Sequence, residues 1–132
     1  MKANIFSVLI AILVVGGAIF LVSKLGNRAI SFPAGDGNNV NIVNGKQIIE
    51  LDAKGGYTPR ISLAKAGMPT VLRFQTRGTF DCSAFIRIPS MSISKILPNS
   101  GTTDVDLGIP QSGILQGMCG MGMYPFEIDF EN

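Results

Sequence analysis

Histidine is absent from the 132 residues, and that absence excludes more chemistry than any other count. Ser-His-Asp and Cys-His nucleophilic catalysis, histidine-ligated zinc and imidazole-ligated copper cannot be built from this chain alone. A phosphate-binding Walker loop and a dinucleotide-binding glycine fingerprint are missing as well. Charge of one sign is missing too. From Arg28 onward nine Lys/Arg face nine Asp/Glu with no run of either, so the clustered cations that nucleic-acid affinity needs are not there. Charged residues are 15% against 46% hydrophobic, too apolar for a disordered chain and unusually apolar for a wholly soluble one. What remains for chemistry is two cysteines and a late cluster of methionines.

The apolar excess has a location. Residues 5–22 read IFSVLIAILVVGGAIFLV and carry no charge, and eighteen residues at ~1.5 Å each make a helix of about 27 Å, close to the thickness of a hydrocarbon core. Lys2 precedes the run, and Lys24 and Arg28 follow it. The short tail before a long apolar run is expected to leave the N-terminus inside, with the rest of the chain extracytoplasmic. The expected organisation is a membrane anchor over 1–28, a linker over 29–39 and a domain over 40–132. A cleaved signal peptide is the alternative, though the apolar stretch is long for one and no small-x-small site follows it. Either way the domain lies on the same side of the membrane.

Residues 29–39 (AISFPAGDGNN) are turn-formers and read as a tether. From Val40 onward short apolar runs are cut by turns, and no helical period is sustained. Asn44-Gly45 sits between two β-rich runs, a hairpin signal. In the run TVLRFQT, Val71, Arg73 and Gln75 share one face and Leu72, Phe74 and Thr76 the other. About seven short strands at this spacing predict an all-β sandwich with Greek-key connections. Its expected core is Ile42, Ile48, Leu51, Ile61, Leu63, Val71, Phe74, Phe85, Ile88, Val105, Leu107, Ile128 and Phe130.

Two stretches carry chemistry: Asp81-Cys82-Ser83 and Gly117-Met118-Cys119-Gly120-Met121-Gly122-Met123-Tyr124. The second puts one thiol and three thioethers within six residues, spaced by glycines. Methionine used only to fill a core would scatter among the strands. Soft sulfur donors suit a soft monovalent cation, of which Cu(I) is the usual biological case. The competing reading of Cys82 and Cys119 is a disulfide, which an oxidising compartment and an even cysteine count both favour. For Met118, packing beneath the loop is the simpler role, and for Met121 packing and ligation are balanced. Tyr57, Pro59 and Tyr124 are read as packing around the loops. Asp81 is read as ordering its loop through an Asx-type hydrogen bond. Glu127, Asp129 and Glu131 alternate along the last run as a solvated face, and no acid/base pair emerges. The chain is therefore expected not to be an enzyme.

In their order, Gly56-Tyr57-Thr58-Pro59, Ala66-Gly67-Met68-Pro69, Phe80-Asp81-Cys82-Ser83, Ile88-Pro89, Leu97-Pro98, Gly101-Thr102-Thr103 and Cys119-Gly120-Met121-Gly122-Met123-Tyr124 resemble cupredoxin-like domains. The resemblance is to the small extracytoplasmic kind, anchored singly or attached to copper-handling membrane proteins, and it covers residues 40–130. It implies a Greek-key sandwich with a metal site at one end. Cys82 would stand where blue copper proteins carry their first histidine, Cys119 would match the cysteine of the ligand loop, and Met123 the later methionine. The missing histidine pair departs from the electron-transfer members. The expected ligands are then Cys82, Cys119 and Met123, with Met121 as a further candidate, holding copper as Cu(I). The expected role is copper storage, delivery or tolerance at a bacterial cell membrane or periplasm, beside a copper-transporting membrane protein and with no nucleic-acid partner. The alternatives are electron transfer and a disulfide-stapled envelope module without metal. The copper expectation requires both cysteines at one end of the sandwich, with Met123 turned toward them.

Overall fold

The computed structural model describes residues 5–25 and 39–132, with side chains of the N-terminal helix described at residues 7–17. The chain divides into two compact units, Met1–Ser31 and Phe32–Asn132, and each is treated by itself. In the first, helix α1 spans Ile5–Leu25. Its described side chains are all exposed. Among the described residues no helix is long and apolar enough to cross a membrane. The flanking cations Lys2, Lys24 and Arg28 and the tether over 29–38 lie outside the residues whose side chains are described.

The second unit is a two-sheet β-sandwich. Strands β1 (Val40–Val43), β2 (Lys46–Ala53), β3 (Tyr57–Thr58), β5 (Thr70–Arg77) and β8 (Ser100–Gly108) form one sheet in the order β1-β2-β5-β8, with β3 on β2. Strands β4 (Ile61–Lys65), β6 (Phe85–Ile88), β7 (Ile93–Ile96), β9 (Gly113–Cys119) and β10 (Pro125–Glu131) form the other in the order β4-β10-β9-β6-β7. The chain changes sheet repeatedly, so neighbours in space are distant in sequence. Two pairs, β2 with β5 and β4 with β10, are consequently parallel, since a parallel pair needs a crossover rather than a hairpin. The expected all-β sandwich is thus observed. The β1–β2 hairpin turns through Asn44 and Gly45 with φ of 51° and 74°, the doubly left-handed turn that Asn-Gly favours.

The core lies between the sheets. Leu51, Val71, Phe74, Ile88, Val105, Leu107, Ile128 and Phe130 are buried as expected, and Leu72 and Phe126 join them. Tyr57, Phe74 and Phe126 meet edge to face, with centroids 4.9 to 5.9 Å apart, an arrangement that adds to plain burial.

Five expected core residues are not in it, because the pleat runs one residue out of phase with the apolar pattern. In β2 it is Ile49 that is fully buried while Ile48 is half-buried, and in β4 Ser62 and Ala64 face inward while Ile61 and Leu63 do not. In β6 Ile86 is inside and Phe85 outside. Ile42 stands exposed on edge strand β1. The inward phase of β2 and β4 is held by Gln47. Its amide donates to the Lys65 carbonyl (3.0 Å) and to Thr70 Oγ1 (3.0 Å), and accepts from the Lys65 N–H (2.8 Å). One fully buried side chain thus ties β2 and β5 to β4 across the two sheets.

Candidate metal centre

Cys82 opens a 3-10 turn, Cys82–Ala84, between β5 and β6. Asp81 caps that turn. Its Oδ1 accepts from the Ser83 N–H at 2.8 Å and from the Ser83 hydroxyl, and its Oδ2 accepts from the Gly55 N–H at 2.9 Å. The expected Asx-type bond is present, and it also reaches across to the β2–β3 loop. Ser83 is buried, and its hydroxyl accepts from Gly56 N–H (3.2 Å) while its carbonyl accepts from the Tyr57 hydroxyl (3.2 Å). The cysteine turn is therefore pinned to the β2–β3 connection through two neighbouring residues, with no bond made by the sulfur itself.

These contacts set the local electrostatics. The Ser83 hydroxyl bond, with the Ser83 and Gly55 backbone amides, holds the Asp81 carboxyl below the usual carboxylate range. Burial, with a smaller contribution from the Asp81 charge, pushes the Tyr57 phenol well above its ordinary value. Tyr57 is thus a neutral hydrogen-bond donor and packing residue, as its burial suggests.

Cys119 is the last residue of β9, opposite Ile86 of β6. Its N–H donates to the Tyr124 carbonyl (3.0 Å), and its carbonyl accepts from Gly122 N–H (2.8 Å), closing the loop 119–124 on itself. Gly120 N–H donates to the Phe85 carbonyl at 2.7 Å, and a Cβ on Gly120 would run into the Phe85 ring. Gly122 holds a φ of 74°, the left-handed region where glycine is least strained. Gly56 approaches the Tyr124 ring, where a Cβ would lie 3.6 Å from it. The glycines between the sulfurs thus have separate jobs: close approach at one position, a reversed backbone at the next.

The fold brings Cys82 and Cys119 together at one end of the sandwich, with Cα atoms 5.6 Å apart and the sulfurs joined as a disulfide. The Met121 N–H donates to Cys82 Sγ at 3.4 Å. Cys119 is fully buried and Cys82 half-buried. Met121 and Met123, on the same loop, are 76% and 61% exposed. Met123 is therefore presented at the mouth of the site and turned out to solvent rather than in toward the cysteines. Met118 is half-buried within β9, below the loop. Among the described residues no group of three or more His, Cys, Asp or Glu side chains is gathered as for a metal ion. The donors at this end are sulfur.

Gly55, Gly56, Ser83 and Phe85 support the site and were not read as doing so from the sequence. The Asp-Cys-Ser triplet did carry a signal for Ser83, since an Asx cap bonds two residues on. The partners Gly55 and Phe85 carried none, because their contacts to the site exist only once the strands are assembled.

No family model matches the chain, and no curated protein does. Solved structures do. A structure described as a copper binding protein in the apo form superposes with a TM-score of 0.64 at 27% identity, covering 70% of this chain and 94% of that one. The metal-binding domain of the Streptococcus pneumoniae Cu(I)-exporting P-type ATPase CopA, with Cu(I), superposes with a TM-score of 0.63 at 20% identity, covering 70% and 93%. Auracyanin B gives a TM-score of 0.48 at 10% identity, covering 75% and 97%. The second likeness establishes a shared fold.

Proposed function

We propose that this chain is a membrane-tethered carrier of Cu(I), serving copper storage, delivery or tolerance, and that it is not an enzyme. The observation that carries the reading is the convergence of two distant thiols at one end of the sandwich, on a loop that also bears two accessible thioethers. In the reduced pair, Cys82 and Cys119 supply two thiolates to one ion. In the disulfide form Met123 is exposed and does not meet the inward turn that the copper expectation requires; completing the soft donor set needs Met123, with Met121 beside it, to turn inward on reduction. A histidine-free sulfur site favours Cu(I) over Cu(II), since no imidazole is present to support the oxidised ion. The likeness to a copper binding protein supports the same reading. The exposed position of the methionines suits a site that passes its ion on, because an incoming carrier can reach them without unfolding the loop.

The tether belongs to the reading as well. Helix α1 spans the bilayer once and holds the domain on the extracytoplasmic side, next to a copper-transporting membrane protein that gives or takes the ion. The apolar run of residues 5–22 between basic flanks supports this.

Competition of the reduced protein against a chromogenic Cu(I) chelator tests the copper reading. One tightly held Cu(I) per chain, lost in Cys119→Ser, is the expected result. Weak binding that Cys119→Ser leaves unchanged would end it, leaving a disulfide-stapled module without metal.

A further inference from the structure

We propose that the Cys82–Cys119 pair is a redox gate on the copper site, holding Cu(I) as a dithiol and releasing it as a disulfide. This inference rests on the copper reading above and concerns its regulation. Three observations carry it. The Cα separation of 5.6 Å lies inside the span that a disulfide bridges, so bonded sulfurs and sulfurs sharing one ion are both reached from the same backbone. Apart from the Met121 N–H bond to Cys82 Sγ, each loop is held by bonds that do not involve sulfur: the Asp81 cap on the Cys82 side, and the Gly120–Phe85 and Cys119–Tyr124 backbone bonds on the other. Changing the state of the sulfurs therefore leaves the scaffold in place. Finally, the donors are divided unequally. Oxidation consumes both thiolates and leaves only the exposed thioethers of Met121 and Met123, which are neutral and weaker.

Burial also gives the exchange a direction. Cys82 is half-buried and Cys119 fully buried, so an exchanging thiol is expected to meet Cys82 first. For loading, one thiolate of a dithiol reductant attacks Cys82 Sγ. The Cys82–Cys119 bond breaks, a mixed disulfide forms on Cys82, and Cys119 leaves with the bonding pair and takes up a proton. The second thiolate of the reductant then attacks the reductant's own sulfur in the mixed disulfide, and Cys82 leaves as a thiolate. Two electrons have passed to the pair, and the reductant has become a disulfide. Cu(I) then binds both sulfurs as thiolates, displacing any protons they carry. Release is the reverse: a disulfide oxidant takes two electrons from the pair, both Cu–S bonds break, and copper departs still as Cu(I).

The test is chelator competition on the full chain in detergent, comparing the form reduced with a phosphine against the disulfide form. The disulfide form is expected to hold Cu(I) at least a thousandfold more weakly, which shifts the midpoint of the pair upward by about 90 mV at saturating copper. Adding glutathione disulfide to the copper-loaded chain is expected to release one Cu(I) for each Cys82–Cys119 bond formed. A difference under tenfold between the two forms, with tight binding by the reduced one, would overturn the gate and leave the copper reading intact. Failure of the reduced form to bind would overturn both. Glutathione disulfide is also expected to modify Cys82 in reduced Cys119→Ser, while Cys119 in reduced Cys82→Ser stays unmodified over the same time; equal modification would overturn the assigned direction.

Discussion

Asp81 shapes the Cys82 turn through hydrogen bonds alone. Its two carboxylate oxygens tie the Cys82 turn to Ser83 and to Gly55, so Asp81→Ala is expected to cost about 1 kcal/mol, as loss of a capping residue does, read by denaturant unfolding. The same bonds hold its carboxyl below the ordinary range, with the Ser83 hydroxyl as the leading cause. A folded-state value below the unfolded one means that this stabilisation is present above the unfolded value, roughly 4, and is lost as pH falls through the depressed one. Melting temperature against pH should therefore lose part of its acid slope in Asp81→Asn. The glycines next to the thiol make a second residue-scale case. A Cβ on Gly117 would enter the Phe126 ring, which is fully enclosed, whereas a Cβ on Gly120 would meet Phe85, which borders solvent. Overpacking costs about 1–3 kcal/mol. Gly117→Ala should fall at the upper end and Gly120→Ala at the lower, because only Phe85 has room to swing away. Equal costs would contradict this packing.

At the scale of elements, Gln47 decides which side of β2 and β4 faces inward. Its amide uses three partners, two on β4 and one on β5. Gln47→Leu would leave the part-buried Lys65 N–H and carbonyl without their side-chain partner. The expected loss is about 2–3 kcal/mol, from the cost of unsatisfied buried groups, measured by chemical denaturation. This buried polar clasp also explains what the sequence did and did not disclose. The hairpin at Asn44-Gly45 was legible, because that dipeptide specifies its own turn. The face of β5 was legible, because Arg73 and Gln75 alternate with Leu72 and Phe74. The phase of β4 was not: Ile61 and Leu63 look like the inward set, yet Ser62 and Ala64 occupy it. Small inward residues there leave space beside Gln47, and no local pattern reports that. The site divides in the same way. Two thiols and a glycine-spaced methionine loop were readable from spacing. The outward turn of Met123 and the grip of Gly55 on Asp81 were not, since both depend on strands far apart in sequence.

For the molecule as a whole, the bridge between Cys82 and Cys119 closes a loop of 37 residues. Chain-entropy reasoning gives such a crosslink about 3–4 kcal/mol. The disulfide form is therefore expected to be more stable than the reduced, metal-free form by that order, in paired denaturation curves. Cu(I) added to the reduced form should restore stability by clipping the same two loops. Acid should reverse that gain, because protons compete with the ion for both thiolates. The proposed tethering makes a separate prediction: the full chain should partition into membranes, while residues 32–132 alone stay in the aqueous phase and still unfold cooperatively. The most direct measurement of the central claim is X-ray absorption at the copper edge of the reduced, Cu(I)-loaded protein. The account predicts a first shell of sulfur only, with a reduced coordination number in Cys119→Ser. A first shell containing nitrogen or oxygen, or one that Cys119→Ser leaves unchanged, would contradict it.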